Sequence, residues 1–192
     1  MNRPMDRLWV LMTASFVIYA LLAIVMGVIP GIVLSDTKPT PGLSPLSVSA
    51  ARGRDVYVSE GCSYCHTQQV RPLAQDLVFG RPSTRGDYAY STPQLLGTER
   101  TGPDLTNIGK RQPSAVWNYI HLYEPRSLVS ASIMPAYPWL FSVKAHAGPG
   151  DVTVPVPPGY APANAVVVAG SNAIDLVAYL QSLKQPQLGS AK

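Results

Sequence analysis

A chain of 192 residues suits one compact domain with an attachment, and is short for two domains with sizeable cores. Hydrophobic residues make up 46% and charged residues 14%, but one uncharged block near the N-terminus holds much of the apolar content. The formal charge of +4, without a run of Lys and Arg interleaved with aromatics, argues against a nucleic-acid partner.

Between Arg7 and Asp36 no Asp, Glu, Lys, Arg or His occurs, and Leu8 to Leu34 reads LWVLMTASFVIYALLAIVMGVIPGIVL. About 20 apolar residues cross a ~30 Å hydrocarbon core, so residues 8–34 are long enough for one transmembrane helix with a break at Pro30-Gly31. A cleaved signal peptide would have an apolar region of only ~7–15 residues and a small-residue cleavage site, and neither is present. Arg3 and Arg7 precede the span while Asp36 and Lys38 cancel after it, which places residues 1–7 in the cytoplasm and the rest outside. Residues 35–48, rich in Pro and Ser, read as a semi-extended tether, and residues 49–192 as the outer domain.

Ser49 to Glu60 predicts a short helix with Gly53 and Tyr57 four apart on one face, a pairing that permits close crossing by a second helix. The chain then reads GCSYCHT, which contains C-x-x-C-H, the attachment sequence for a c-type haem. Two thiols one turn apart can each add to a vinyl group on one side of a porphyrin, and the adjacent histidine is then carried under the iron. Cys62 and Cys65 would bind the haem covalently and His66 would be the proximal ligand. A thioredoxin-type pair would need a preceding strand, a structural zinc site more ligands, and a plain disulfide would leave His66 without a role.

Gln75 to Gly97 shows no sustained period and reads as an ordered loop, with Tyr88 and Tyr90 placed to pack on the haem rim. Pro113 to Tyr123 predicts a helix with proline in its first turn, Val116, Tyr119, Ile120 and Tyr123 inward, and a stop before Pro125. Met134 in SIMPAYPWL is the one methionine beyond the apolar block, and Pro135 and Pro138 stiffen its loop, so it is the candidate sixth ligand. His121 and His146 are the alternatives. Asp151 to Gly170 carries two β-branched runs that suggest a small hairpin. Asn172 can cap a last helix over 173–184, with Ile174, Val177, Ala178 and Leu180 as its apolar stripe. The fold class expected is mainly α: one N-terminal transmembrane helix and a cytochrome c-type domain of few helices and long loops around one haem. Arg71, Arg100 and Arg111 are candidates to hold the haem propionates.

GCSYCHTQQVRPL, RTGPDL at Arg100 to Leu105, and SIMPAYPWL at Ser132 to Leu140 together resemble, in content and order, the monohaem subunit of cbb3-type cytochrome c oxidases. Q-V-R-P after the haem histidine and M-P-A-Y-P-W-L are not general features of cytochromes c. The resemblance implies one haem c with His66 and Met134 on the iron, and Pro103 accepting a hydrogen bond from the His66 imidazole. It also implies a single pass through a bacterial inner membrane and a periplasmic haem domain. The partners implied are a haem-copper catalytic subunit that reduces oxygen, other cytochrome c subunits, and a soluble or subunit-borne cytochrome c donor. The chain itself would carry single electrons without bond chemistry. A haem subunit of nitric oxide reductase and a free-standing anchored shuttle are the alternatives. Between Phe141 and Ala173 the Pro- and Val-rich sequence departs from that family's pattern.

Overall fold

The computed structural model describes residues 4–97 and 99–187. Arg3, used in the orientation argument, lies outside the described residues. The chain divides into two compact units, Met1–Pro39 and Thr40–Lys192.

In the first unit residues 4–35 are helical. Helix α1 (Pro4–Ala23) continues as a π-helical segment (Ile24–Val28) into α2 (Ile29–Ser35). The apolar run thus makes one helix over Asp6–Ser35, 30 residues of mean hydropathy 2.7, none of whose most apolar window is buried against protein. A helix of that length exceeds what a bilayer core needs. The break expected at Pro30-Gly31 does not occur. Proline has no N–H and its ring crowds the carbonyl four residues earlier, which here is that of Met26. The helix accommodates this by widening in the preceding turn, where the Ile29 N–H donates to the carbonyl of Ile24 five residues back.

The second unit begins inside the stretch expected to be a tether. Thr40 is buried, its N–H donates to Gly86 O at 3.0 Å and its hydroxyl to Asp87 at 2.8 Å, and Leu46 packs on the core. Proline fixes the backbone of such a segment, but it does not stop the residues between prolines from finding partners.

Helix α3 (Val48–Ser59) starts at Ser47, whose hydroxyl accepts from the Ala50 N–H and so satisfies one of the orphan donors of the first turn. It crosses α6 (Ser171–Ser182) through Gly53: a Cβ there would lie 1.8 Å from the Asp175 carbonyl oxygen. Tyr57 meets Tyr179 edge to face at 5.4 Å beside this crossing. The expected pairing of a small residue with an aromatic is what the crossing uses. Arg52 Nε closes it from outside, 2.6 Å from the carboxylate of Asp175, which Ser49 also meets.

Helix α6 begins two residues before its expected start, on Gly170, and Asn172 lies inside its first turn without capping it. Ala173, Leu176, Val177, Tyr179 and Leu180 are buried, whereas Ile174 and Ala178 are half-buried. A single stripe does not describe this helix because it is covered on several sides, by α3, by α5 (Ala115–Tyr123) and by a small sheet. Helix α5 starts on Ser114, whose hydroxyl accepts from Trp117 N, so Pro113 falls just before the cap. Val116, expected inward, is 46% exposed, and Asn118 and Leu122 take the inner face with Tyr119 and Ile120.

A short helix α4 (Ile108–Arg111) and 3-10 turns at Ala74–Phe79 and Arg85–Tyr88 interrupt the long loops. The hairpin expected over 151–170 exists as β2 (Thr153–Val154) against β3 (Val166–Ala169), but β3 also pairs antiparallel with β1 (Phe141–Lys144). The sheet order β1-β3-β2 puts the strand from the Val-rich run in the middle, where Val167 and Val168 are buried.

Candidate functional site

The haem motif forms one tight turn. Cys62–Tyr64 is a 3-10 turn, and the N–H groups of Cys65 and His66 both donate to the Cys62 carbonyl, at 3.3 and 3.0 Å. That winding sets Cys62, Cys65 and His66 on the wall of one cavity of about 430 Å³, within the range typical of small-molecule sites (~300–1,000 Å³). Met134 lines the same cavity, together with Pro103, Leu105, Leu122 and Leu180. All five residues singled out from the sequence thus meet around one largely apolar space.

His66 is oriented by the segment 101–105, which runs beside 65–67: Gly102 N donates to Cys65 O at 2.9 Å and Leu105 N to Thr67 O at 2.8 Å. This alignment puts the Pro103 carbonyl 2.8 Å from His66 Nδ1. A carbonyl can only accept, so Nδ1 carries the proton and Nε2 keeps its lone pair. Burial lowers the His66 pKa, which the Pro103 contact and Asp104 partly oppose, and the neutral form is the one able to bind a metal. Gly102 is required by the close approach: a Cβ there would stand 2.3 Å from His66 Cε1.

Beneath this pair lies a network not anticipated from the sequence. Asp104, fully buried, accepts from the Thr67 hydroxyl at 2.7 Å, Gln69 N at 2.9 Å and Thr106 N at 2.9 Å. Arg100 donates to the Thr67 hydroxyl at 2.8 Å and pairs with Asp76, and Arg71 holds the other side of Asp76 at 2.8 Å. The two guanidiniums, Arg71 first, hold the Asp76 carboxyl well below the usual carboxylate range. The signal for this network was two aspartates and two arginines flanking the haem motif and the Gly-Pro stretch, which suggest charge pairing only when the two segments are known to be adjacent.

That network corrects the propionate candidates. Arg71 and Arg100 are engaged with Asp76, and Arg111 donates to the Asp104 carbonyl and sits 5.1 Å over the Phe79 ring; none of them lines the cavity. Tyr88 and Tyr90 are not on its rim either: they line a smaller cleft, and the Tyr88 hydroxyl donates to Gln68 O at 2.9 Å.

The Met134 loop is fastened at several points. Arg126 Nη1 donates to Met134 O at 3.2 Å, Tyr137 N to Leu122 O at 2.9 Å, and Trp139 Nε1 to Glu60 Oε2 at 3.0 Å. The loop is thereby held to the end of α5 and to the residue two before Cys62. Of the alternative ligands, His146 is exposed and away from the cavity, whereas His121 lines it, stacked on Trp117 at 4.5 Å. Burial, and then the neighbouring His66, push the His121 pKa down to about 4. Burial likewise pushes the Cys62 thiol up to about 12, with Glu60 adding to it.

These residues fit a c-type haem. Two unbonded thiols, a neutral imidazole with its Nε2 lone pair available, and a thioether share one apolar space, a donor set suited to iron in a porphyrin. A search among curated proteins finds no match. The family model for FixO, the mono-heme subunit of cytochrome c oxidase, matches residues 2–151 and so covers the apolar helix, the haem motif, the Gly-Pro stretch and the Met134 loop. The chain belongs to the FixO family of mono-haem cytochrome c oxidase subunits.

Proposed function

We propose that this chain is the membrane-anchored electron-transfer subunit of a cbb3-type oxidase, passing single electrons to a haem-copper subunit that reduces oxygen. The observation that carries the reading is the meeting of Cys62, Cys65, His66 and Met134 on one cavity wall, with His66 held by Pro103. A bound haem supplies a one-electron ferric/ferrous couple. Cys62 and Cys65 would hold the ring covalently, each S–H adding across a vinyl double bond with no oxidant needed. His66 would hold the iron through Nε2, and its Nδ1–H bond to Pro103 raises the basicity of that nitrogen and fixes the imidazole plane. Met134 would be the second protein ligand to the iron, and a thioether in that role favours the reduced state. The apolar lining would limit reorganisation when the charge of a bound haem changes.

The helix over Asp6–Ser35 anchors the chain in a bacterial inner membrane, with the N-terminus in the cytoplasm and the haem domain in the periplasm. Its donor is a soluble or subunit-borne cytochrome c, and its complex includes other cytochrome c subunits. To test the reading, native membranes are solubilised gently, the tagged chain is isolated, and the redox difference spectrum and oxygen uptake of the material are recorded. Haem b and cyanide-sensitive oxygen reduction should accompany the haem c. Haem c alone would make this a free-standing shuttle, and nitric oxide reduction in place of oxygen reduction would assign it to a nitric oxide reductase.

A further inference from the structure

His121 lines the cavity with hydrogen-bonding capacity that the haem-binding reading leaves unused. It projects from α5 on the same face as Trp117, Asn118 and Leu122, all of which line the cavity. Asn118 is already committed, donating to Gln112 O at 3.2 Å and Ser114 O at 2.7 Å. Stacking on Trp117, with 15° between the planes, fixes the orientation of the imidazole. Its Nδ1 is shut off from solvent without a partner among the described residues. A buried orphan N–H costs more than a buried lone pair, so the proton belongs on Nε2, the nitrogen left for the cavity.

His66 approaches the cavity from the segment tied to Gly102 and Pro103. His121 belongs instead to the wall that carries Met134: Leu122, its neighbour, accepts from Tyr137, and Arg126, five residues on, grips the Met134 carbonyl. We infer that His121 is a positioning residue for the Met134 face of the haem, its Nε2–H directed at the Met134 thioether. A thioether sulfur is a weak acceptor. A hydrogen bond to it withdraws electron density that ferric iron needs more than ferrous iron does, so His121 raises the reduction potential. The inference rests on the proposed haem site and on Met134 as its ligand.

Proton NMR of the reduced full-length holoprotein in detergent micelles tests it without any substitution. The Met134 ε-methyl and the His121 ring protons should both be displaced by the haem ring current and show cross-relaxation with one another. A displaced methyl without contact to His121 overturns the inference and leaves Met134 as ligand; an undisplaced methyl overturns both. Potentiometry of variants supplies the second measurement. His121→Phe, which keeps a ring but no donor, should lower the potential, and His121→Gln, whose amide can place a donor near Nε2, should stay close to the parent. Equal shifts in the two variants, or no shift in His121→Phe, would show a packing role only and overturn the inference.

Discussion

Asp76 shows how a single residue ties stability to pH. Its carboxylate is enclosed by Arg71 and Arg100, and its pKa in the folded chain is lowered below the ordinary value of 3.8. A group depressed in this way contributes stability that is fully present above its unfolded pKa and is lost as pH falls below it toward the folded value. Thermal melts should therefore show the protein losing stability below about pH 3.8, and Asp76→Asn should flatten that part of the profile while lowering stability at neutral pH. Gly102 gives a steric counterpart. A methyl group 2.3 Å from the His66 ring cannot be accommodated unless the ring moves off Pro103. Gly102→Ala should cost about 1–3 kcal/mol, as overpacked sites do, and should lower the yield of covalently bound haem, read from the denatured haemochrome spectrum. At this scale the residues that meet on the cavity wall were legible because the chemistry of a haem site restricts candidates to Cys, His and Met in a short chain. The partners of Arg71, Arg100 and Arg111 were not, because a guanidinium has the same appearance in sequence whether it faces a propionate or a buried aspartate.

The helix pair α3 and α6 is the element on which the second unit is built. Gly53 brings the α6 backbone so near that a Cβ would fall 1.8 Å from Asp175 O, and backbone cannot swing aside as a flexible side chain would. Gly53→Ala should cost about 3 kcal/mol or more, at or beyond the upper end of overpacking penalties, with loss of the Arg52 to Asp175 contact; denaturant melts at constant pH measure it. This crossing was readable because Gly53 and Tyr57 share a face at helical spacing. The sheet was readable only in part. Thr153–Val154 and Val166–Ala169 lie in β-branched runs, but Phe141–Lys144 pairs with a strand more than twenty residues away, and nothing local in FSVK announces it. The caps behaved likewise: Asn172 is a good capping residue by type, yet α6 starts on Gly170, where the Gly170 N–H donates to the Leu140 carbonyl at 3.0 Å and the sheet hands the chain to the helix. Tertiary hydrogen bonds, absent from any local pattern, decided where that element begins.

At the scale of the whole molecule, every residue lining the cavity belongs to the unit that begins at Thr40. On the proposed function, the anchor and the haem site should therefore be separable. The full chain should stay with membranes through an alkaline carbonate wash, because transferring a helix of 30 residues and mean hydropathy 2.7 into water exposes side chains that have no protein cover. A shortened chain starting at Thr40 and carrying a cleavable export signal should be recovered in the soluble periplasmic fraction with one haem. Its spectrum and potential should match those of the full chain in detergent. The start matters, because the contacts of Thr40 with Gly86 and Asp87 belong to the domain, and a chain begun at residue 49, as the Pro- and Ser-rich composition suggested, would lose them and the packing of Leu46. The two truncations should differ in melting temperature, the longer being the more stable. A shortened chain from Thr40 that reaches the periplasm yet lacks haem, or has a displaced potential, would mean that the apolar helix contributes to the site and that the two units are not independent.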